Sequence, residues 1–511
     1  MSVPWLSEGT PGAASAPRAA RNVIWNLAGG ASAGVLSVLA TPFFVARLGL
    51  ASYGIVGLWI TLQSMLSLLD LGIGPAVIRL IAGASGAGAR ERQRDVVRTL
   101  EVGYLLVGGA LAAIGTMAPR MLSAWSSHGP VARDSATSGA LQLIAVALAF
   151  QFPGLLYQNA LMGLQAQGRM NALQVAGNVG RFGGGAIVLQ WRPDIEAFLT
   201  WQVVVAFVQS VAGHVSFWRL VGRDRAHVRW RLFGEVRRFA AGMALTSILA
   251  VMLANADRLV LGALAGSAAL GAYALAFTAA GALQLAIQPF YRAFFPRFAE
   301  LIAAGSSEAR LWGEYVHACA TLAAGIVPLA VVGAVLAPAL LTAWLGRADP
   351  TVVTSFRLLL CGGGAAGLVW LPAAMQQARG WTRLHAGMIA GALIIGLPLL
   401  PSTIAAFGTP AAALLWLLHG FSGLTLELWL MHRRIFVGCL GTWYRIVLMP
   451  PLVIATGVAA AGFALGPAQL GRRAGLAWAA LVLVGAIVPS MWFALRRASF
   501  AVGQTPVTRD A

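Results

Sequence analysis

The residues of this chain with the means to do chemistry are charged groups set in or at the ends of apolar stretches: Asp70, Arg79, Arg181, Asp257, Arg258, Arg292 and Glu427. A charge at bilayer depth is costly unless it is paired or faces water, so such residues mark ligand pathways, gates or ion sites. Arginine presents a planar fork that matches phosphate oxygens and stays charged when buried. Arg181, Arg258 and Arg292 are therefore the candidates for holding a phosphate-bearing anion. Arg181 stands near the middle of its stretch, too deep to reach the interface, with Asn178 one turn before it and the run Gly183-Gly184-Gly185 beside it. Those glycines would leave room for a bulky head group. Arg79 and Arg292 lie near stretch ends, from which a long side chain can also snorkel to water.

The acids read differently. Asp70 and Arg79 would face opposite sides of an unbroken helix. The intervening Gly-Ile-Gly-Pro, residues 72–75, could bring them together as a gating or structural pair. Asp257 and Arg258 point about 100° apart on a helix, which suggests separate partners. Asp257 joins Asp70 and Arg79 as a gating or ion-coupling candidate. Glu427 lies close to His432, Arg433 and Arg434 and reads as an interface pair. Gln151, Gln158 and Gln165 recur every seven residues, roughly on one helical face, with Asn159 beside them. They either line a cavity or serve as hydrogen-bonding glue between helices.

No catalytic, metal or cofactor constellation stands out. The three cysteines, Cys319, Cys361 and Cys439, show no ligand or redox spacing and read as packing residues. All basic residues are arginine, so a Walker-A phosphate loop, which needs lysine, is excluded. The stretches between apolar segments on the arginine-poor side are short, which leaves little room for the catalytic loop of a membrane glycosyltransferase, and the chain is read as a non-enzyme.

The elements that must position these residues follow from composition. The chain has 511 residues, 59% of them hydrophobic and only 10% charged, with a mean hydropathy of +0.77. Soluble domains carry about a quarter charged residues. An all-α polytopic membrane protein with about fourteen spans is expected. Segments relevant below fall at about 22–46, 52–82, 99–124, 138–165, 171–190 and 197–218, by length and hydropathy. The formal net charge of +19 sits in arginines of short loops, the pattern of membrane orientation rather than of nucleic-acid binding. An even number of spans puts both ends on one side. That side collects most of the arginines and is expected to be cytoplasmic. The organisation expected is a disordered cytoplasmic tail over 1–20, a first six-helix lobe over 21–218 and a basic cytoplasmic inter-lobe loop over 219–238. A second six-helix lobe over 239–431 and two extra helices with a short tail over 432–511 would follow.

Two pairs of motifs recur at an offset of about 210 to 220 residues, the mark of a transporter built from repeats. Leu48-Gly49 with Tyr53-Gly54 answers Leu261-Gly262 and Leu270-Gly271 with Tyr273-Ala274. The run Gly163 to Arg169 answers Gln376 to Arg383.

At these positions the chain resembles bacterial polysaccharide flippases of the multidrug/oligosaccharidyl-lipid/polysaccharide exporter superfamily. The resemblance lies in Asn22, Arg-Leu-Gly-x-x-x-Tyr-Gly ending at Gly54, Leu-Asp70-Leu-Gly-Ile, Arg79, and Asn255-Ala-Asp257-Arg-Leu-Val-Leu-Gly262 followed by Gly271-Ala-Tyr273. It extends over nearly the whole chain. It implies two six-helix lobes about a central cavity, alternating access, and transfer of an undecaprenyl-pyrophosphate-linked glycan from the inner to the outer leaflet of the bacterial inner membrane. Implied partners are that lipid-linked glycan, membrane lipids and polysaccharide polymerase or export machinery. The alternative is a cation-coupled drug antiporter of the same fold. Such antiporters usually need an acid in the first spans. The first span here has none, and only Asp70 keeps that reading open.

Overall fold

A backbone that crosses lipid must satisfy its own N–H and C=O groups, so an apolar chain of this kind folds as helices. The computed structural model describes the backbone of residues 16–70, 73–84, 88–125, 135–222, 226–347, 349–466 and 472–498, and every regular element there is helical. Residues 1–15 of the expected tail, the side chains of Asn22 and Asn26, the loop bearing His128, Arg133 and Asp134, and Arg223 to Arg225 lie outside the described residues.

In chain order the helices are α1 (Ala16–Leu69), α2 (Ile73–Ala82), α3 (Ala89–Trp125), α4 (Ser135–Gly163), α5 (Gln167–Val179), α6 (Gly185–Trp191) and α7 (Ile195–Val221). Then come α8 (Trp230–Ala280), α9 (Ala282–Ala303), α10 (Glu308–Val335), α11 (Ala337–Leu345), α12 (Pro350–Ala378) and α13 (Arg383–Phe407). The last are α14 (Leu414–Ser422), α15 (Leu428–His432), α16 (Leu440–Trp443), α17 (Met449–Leu465) and α18 (Arg472–Ala498). Eleven helical runs among the described residues are long and apolar enough to cross a membrane. Two of these are double. Helix α1 breaks at Gly49 (φ 77°) and α8 at Gly266 (φ 79°). A further run passes from α5 through a π turn, Gly180–Gly184, into α6. The expectation of about fourteen spans requires each half of the two double helices and the π-interrupted run to cross separately.

The gap expected between the segments at 22–46 and 52–82 is thus a single glycine. Gly49 takes a backbone conformation that side-chain-bearing residues rarely adopt, and helix resumes at once. Its counterpart is Gly266, not Gly262 or Gly271, so the repeat has a sharper register than the motifs suggested.

By internal contacts the chain forms two units, Met1–Ala40 with Leu66–Ala244, and Thr41–Met65 with Leu245–Ala511. The second unit therefore takes in a segment from the first half of the sequence. Glycines explain it. A Cβ on Gly54 would strike the carbonyl oxygen of Ser267, and a Cβ on Gly271 would strike that of Leu50. A Cβ on Gly57 would come 2.7 Å from that of Ala274. The matched positions lie 217 residues apart (271 minus 54, 274 minus 57, 266 minus 49). The two repeats cross backbone to backbone through the same small residues, as membrane helices do where side chains are absent. Elsewhere in this unit α10 and α12 form the core, with 67% and 83% of their most apolar windows buried, and the last two helices, α17 and α18, pack on α10. In the first unit α4 packs along both α3 and α7.

Candidate functional site

In the first unit, Asp70 fills the gap between α1 and α2. It is buried, and its Oδ2 accepts the Gly74 N–H at 2.7 Å, as a capping carboxylate does at a helix start. Its Oδ1 accepts the hydroxyl of Tyr104 on α3. The Tyr104 ring stacks on Phe152 of α4 at 4.7 Å. Asn159 and Asp70 close over Gly74, where a Cβ would come 2.5 Å from Asn159 Nδ2 and 2.8 Å from Asp70 Oδ2 and displace one of them. Arg79 lies exposed on α2 and is not Asp70's partner. The expected Asp70–Arg79 pair is replaced because α2 restarts as helix immediately after the break and keeps the two apart.

Arg181 sits in the π turn. An extra residue in a helical turn displaces carbonyls from their usual donors. Two α7 side chains reach them: Trp201 Nε1 donates to Gly180 O at 2.8 Å and Gln202 Nε2 to Arg181 O at 3.2 Å. The Arg181 guanidinium donates to Gln209 Oε1, also on α7, at 2.9 Å. Asn178 is not its partner. Asn178 donates instead to Ser32 Oγ at 2.9 Å. The glycines do not leave the room expected of them. Trp201 fills the side of Gly184 and Phe198 that of Gly185, while Gly183 stays open.

The glutamine stripe is shorter than its spacing suggested. Gln151 is buried on α4 with its Nε2 unpartnered, Gln158 is half-buried, and Gln165 falls beyond the end of α4 at φ 55°, exposed. A second polar cluster was missed. Glu101 of α3 is buried, accepting Tyr157 Oη at 2.5 Å on Oε1 and Arg98 Nη1 at 2.8 Å on Oε2. His214 Nδ1 of α7 lies 3.0 Å from Glu101 Oε1 and 2.9 Å from the Tyr157 hydroxyl. Glu101 and His214 stand inside the third and sixth apolar segments, so the rule that singles out Asp70 applies equally to them.

In the second unit, Asp257 and Arg258 do meet. Asp257 Oδ1 accepts the Arg258 N–H at 2.8 Å and lies 3.8 Å from Arg258 Nε. Its Oδ2 accepts Tyr273 Oη at 2.6 Å and Trp416 Nε1 at 3.0 Å. Arg258 also donates to Ala254 O and to Asn255 Oδ1 at 2.9 Å, and lies 4.0 Å from the centre of the Phe277 ring. Ser64 donates to the same Asn255 oxygen at 2.5 Å, which ties α1 beyond its break to α8. Arg292 is exposed and forms no ion pair among the described residues. Glu427 is no interface pair. It is wholly buried in a π turn (Gly423–Glu427), and its Oε1 accepts Gln376 Nε2 at 3.0 Å and lies 3.1 Å from His385 Nδ1. The π turn rotates the carboxylate toward α12 and α13, away from Arg433 and Arg434.

These clusters consist of hydrogen-bonded charges that join helices. Among the described residues no group of three or more His, Cys, Asp or Glu is placed to hold a metal ion. Residues 19–302, more than half of the chain, match the polysaccharide biosynthesis protein family.

The chain belongs to that family.

Its match takes in both glycine breaks, Asp70, Arg181, Asp257, Arg258 and Arg292, and leaves Glu427 outside. The fold is shared with solved transporters. A lipid II flippase, MurJ, in an inward closed conformation is similar at 11% identity, with 94% of this chain and 99% of that one covered and a TM-score of 0.72. A multidrug resistance MATE family transporter of the MOP superfamily, inward-facing, is similar at 16% identity over 80% of this chain and 96% of that one, with a TM-score of 0.61. A MOP superfamily transporter from Pyrococcus furiosus, described as having a binding pocket of reversed polarity, is similar at 16% identity over 85% and 100%, with a TM-score of 0.52. No curated protein sequence matches the chain. This member of the polysaccharide biosynthesis family is thus a multi-pass membrane protein with the all-α fold of the MOP superfamily.

Proposed function

We propose that the protein is a flippase that moves an undecaprenyl-pyrophosphate-linked oligosaccharide from the inner to the outer leaflet of the bacterial inner membrane by alternating access. The observation that carries this is Arg181. It lies fourteen residues after Gln167 and ten before Trp191, which at 1.5 Å per residue is about 21 and 15 Å from the two ends of its pass. A guanidinium held at that depth, at a π turn, is a fixed positive charge suited to phosphate oxygens. Membership of a polysaccharide biosynthesis family supports a glycan cargo, and the fold shared with a lipid II flippase supports a lipid-linked one. Arg292 is exposed and available as a second phosphate contact. Gln151, with a buried unpartnered amide, Gln158 and Asn178 are assigned to polar groups of the cargo. Arg258 is taken up by Asn255, Ala254 O and Asp257, and its role is to position α8. Of the two acidic gating candidates, Asp70, held by the Gly74 N–H and the Tyr104 hydroxyl, is assigned to gating, and Asp257, beside Arg258, is assigned to holding α8 in place. The arginine-rich loops and both termini are placed in the cytoplasm by the positive-inside bias.

The test is surface polysaccharide in a deletion strain carrying variants. Loss of one partner of a buried charged contact costs about 2–5 kcal/mol. Arg181→Ala is expected to abolish glycan export at normal membrane abundance, and Arg181→Lys to restore it in part, since lysine keeps the charge without the fork. Full export by Arg181→Ala would remove the residue from the mechanism. Unchanged polysaccharide after deletion of the gene, with new drug sensitivity, would make the protein an antiporter instead.

A further inference from the structure

Helices α3, α4 and α7 enclose a groove of about 540 Å³ in the first unit, lined at one end by Arg98, Glu101, Tyr157 and His214. Beyond that end its lining is almost wholly apolar, with Leu105, Gly108, Gly109 and Ala112 on α3 facing Phe150 and Pro153 of α4 and Phe207 of α7. Polar head and apolar body are thus separated along a single trough. From Arg98 to Ala112 the trough follows α3 for about 21 Å at 1.5 Å per residue. That exceeds the roughly 15 Å hydrocarbon depth of one leaflet.

The polar end is built. Glu101 is 4% exposed and its two oxygens are occupied by Tyr157, His214 and Arg98. Its charge is spent on holding the donors in place. Arg98 uses one nitrogen on Glu101 and is 45% exposed, so its remaining N–H groups open outward. His214 is 27% exposed and has its Nδ1 engaged by Glu101 and Tyr157, which fixes the ring at the rim of the groove. The Arg98 guanidinium beside an apolar trough forms a seat for a phosphodiester with an acyl chain below it. This end lies where α3 begins and α4 and α7 end, among Arg90, Arg92, Arg94, Arg169 and Arg219. Clustered cations at a membrane surface favour anionic lipids.

We propose that this groove is a binding site for one anionic phospholipid of the leaflet that meets the arginine-rich helix ends, with its phosphate on Arg98 and one acyl chain over Gly108, Gly109 and Ala112. The site is separate from the Arg181 contacts and does not depend on the cargo assigned above. Gly109 matters because it is the floor. A Cβ there meets nothing within 4 Å, so a larger side chain fits the helix and fills the trough.

Native mass spectrometry of the purified full chain, titrated with phosphatidylglycerol, phosphatidylethanolamine or undecaprenyl phosphate, tests this. The wild type is expected to retain one phosphatidylglycerol in preference to phosphatidylethanolamine. Arg98→Gln removes a charge-assisted contact and is expected to weaken retention about tenfold or more. Gly109→Phe is expected to abolish it, whereas Gly391→Phe, at a glycine of α13 equally open to a side chain, leaves it unchanged. Wild-type retention by Gly109→Phe overturns the site. Equal retention of phosphatidylethanolamine overturns the choice of an anionic lipid. Displacement of phosphatidylglycerol by undecaprenyl phosphate overturns it in favour of the cargo's own lipid. None of these results bears on whether Arg181 is required for export.

Discussion

Asp70 and Asp257 are two buried aspartates held in nearly the same way. Each accepts a tyrosine hydroxyl, Tyr104 for the first and Tyr273 for the second, and each accepts a backbone N–H close in sequence, that of Gly74 or Arg258. They differ in what else is present. Asp257 has an arginine 3.8 Å away and a tryptophan N–H on its second oxygen. Asp70 has neither. A buried carboxylate beside a fixed guanidinium is a structural joint, because its charge is already answered. One held only by neutral donors can change its protonation or take a cation without breaking an ion pair. Under the function proposed above, this difference gives Asp257 the part of holding α8 against its neighbours and leaves to Asp70 the part of the acid whose charge varies.

The largest effect that can break this comparison comes from Arg258→Ala. It leaves Asp257 buried without its cation, and removing one partner of such a pair costs about 3–5 kcal/mol. The thermal midpoint of the purified protein should fall sharply, and low expression is expected. A midpoint near wild type would mean that Arg258 is not what neutralises Asp257. The next effect concerns the repeat rather than the acids. Gly54 and Gly271 stand at equivalent positions of one crossing, so Gly54→Val and Gly271→Val should destabilise alike, each by about 1–3 kcal/mol for overpacking. A large cost at one and none at the other would show the crossing to be one-sided. Smaller again, Tyr104→Phe and Tyr273→Phe each strip a hydroxyl donor from a buried oxygen, at about 1–3 kcal/mol. Tyr104→Phe should cost more, because Trp416 still donates to Asp257 Oδ2 after the second change and no other described residue donates to Asp70 Oδ1.

Much of this was legible in the sequence and some was not, for physical reasons. Hydropathy marks eleven of the runs, because lipid leaves the backbone no alternative to helix, and falls short on the run from α5 to α6, which carries Arg169 and Arg181. Deep charges stand out because so few are tolerated. The repeat was visible in Leu-Gly and Tyr-Gly pairs, but its register was not. The residues that align, Gly49 with Gly266 and Gly54 with Gly271, are set by a positive φ and by backbone contact, and glycine is too common in this chain to reveal either. Partners were the least legible. Spacing along the chain offers Arg79 to Asp70 and Asn178 to Arg181, yet Tyr104 and Gln209 arrive from other helices. Glu427 was assigned to an interface because one turn of ideal helix points it there, and the π turn that turns it toward Gln376 and His385 leaves no mark in composition.

The smallest expected effect is the most informative. Asp70→Asn removes the charge and keeps the shape. The asparagine carbonyl oxygen can still accept the Gly74 N–H. Its amide then faces the Tyr104 hydroxyl, which can turn from donor to acceptor, since a phenol does both. The number of hydrogen bonds is preserved and no cation is orphaned, so the stability loss should stay within about 1 kcal/mol. The same substitution at Asp257 has no such escape. There Trp416 N–H and Tyr273 both donate to Oδ2 while the Arg258 N–H donates to Oδ1. An amide NH2 placed on either side opposes a donor, and indole N–H cannot accept. Arg258 also loses its counter-charge. Asp257→Asn should therefore cost several times what Asp70→Asn costs, read as paired thermal midpoints in one detergent. If Asp70→Asn melts the protein as severely as Asp257→Asn, Asp70 is a joint of the same kind, and its charge is not the variable one. If it keeps wild-type stability and loses glycan export, the carboxylate itself, rather than the geometry it holds, is what transport requires.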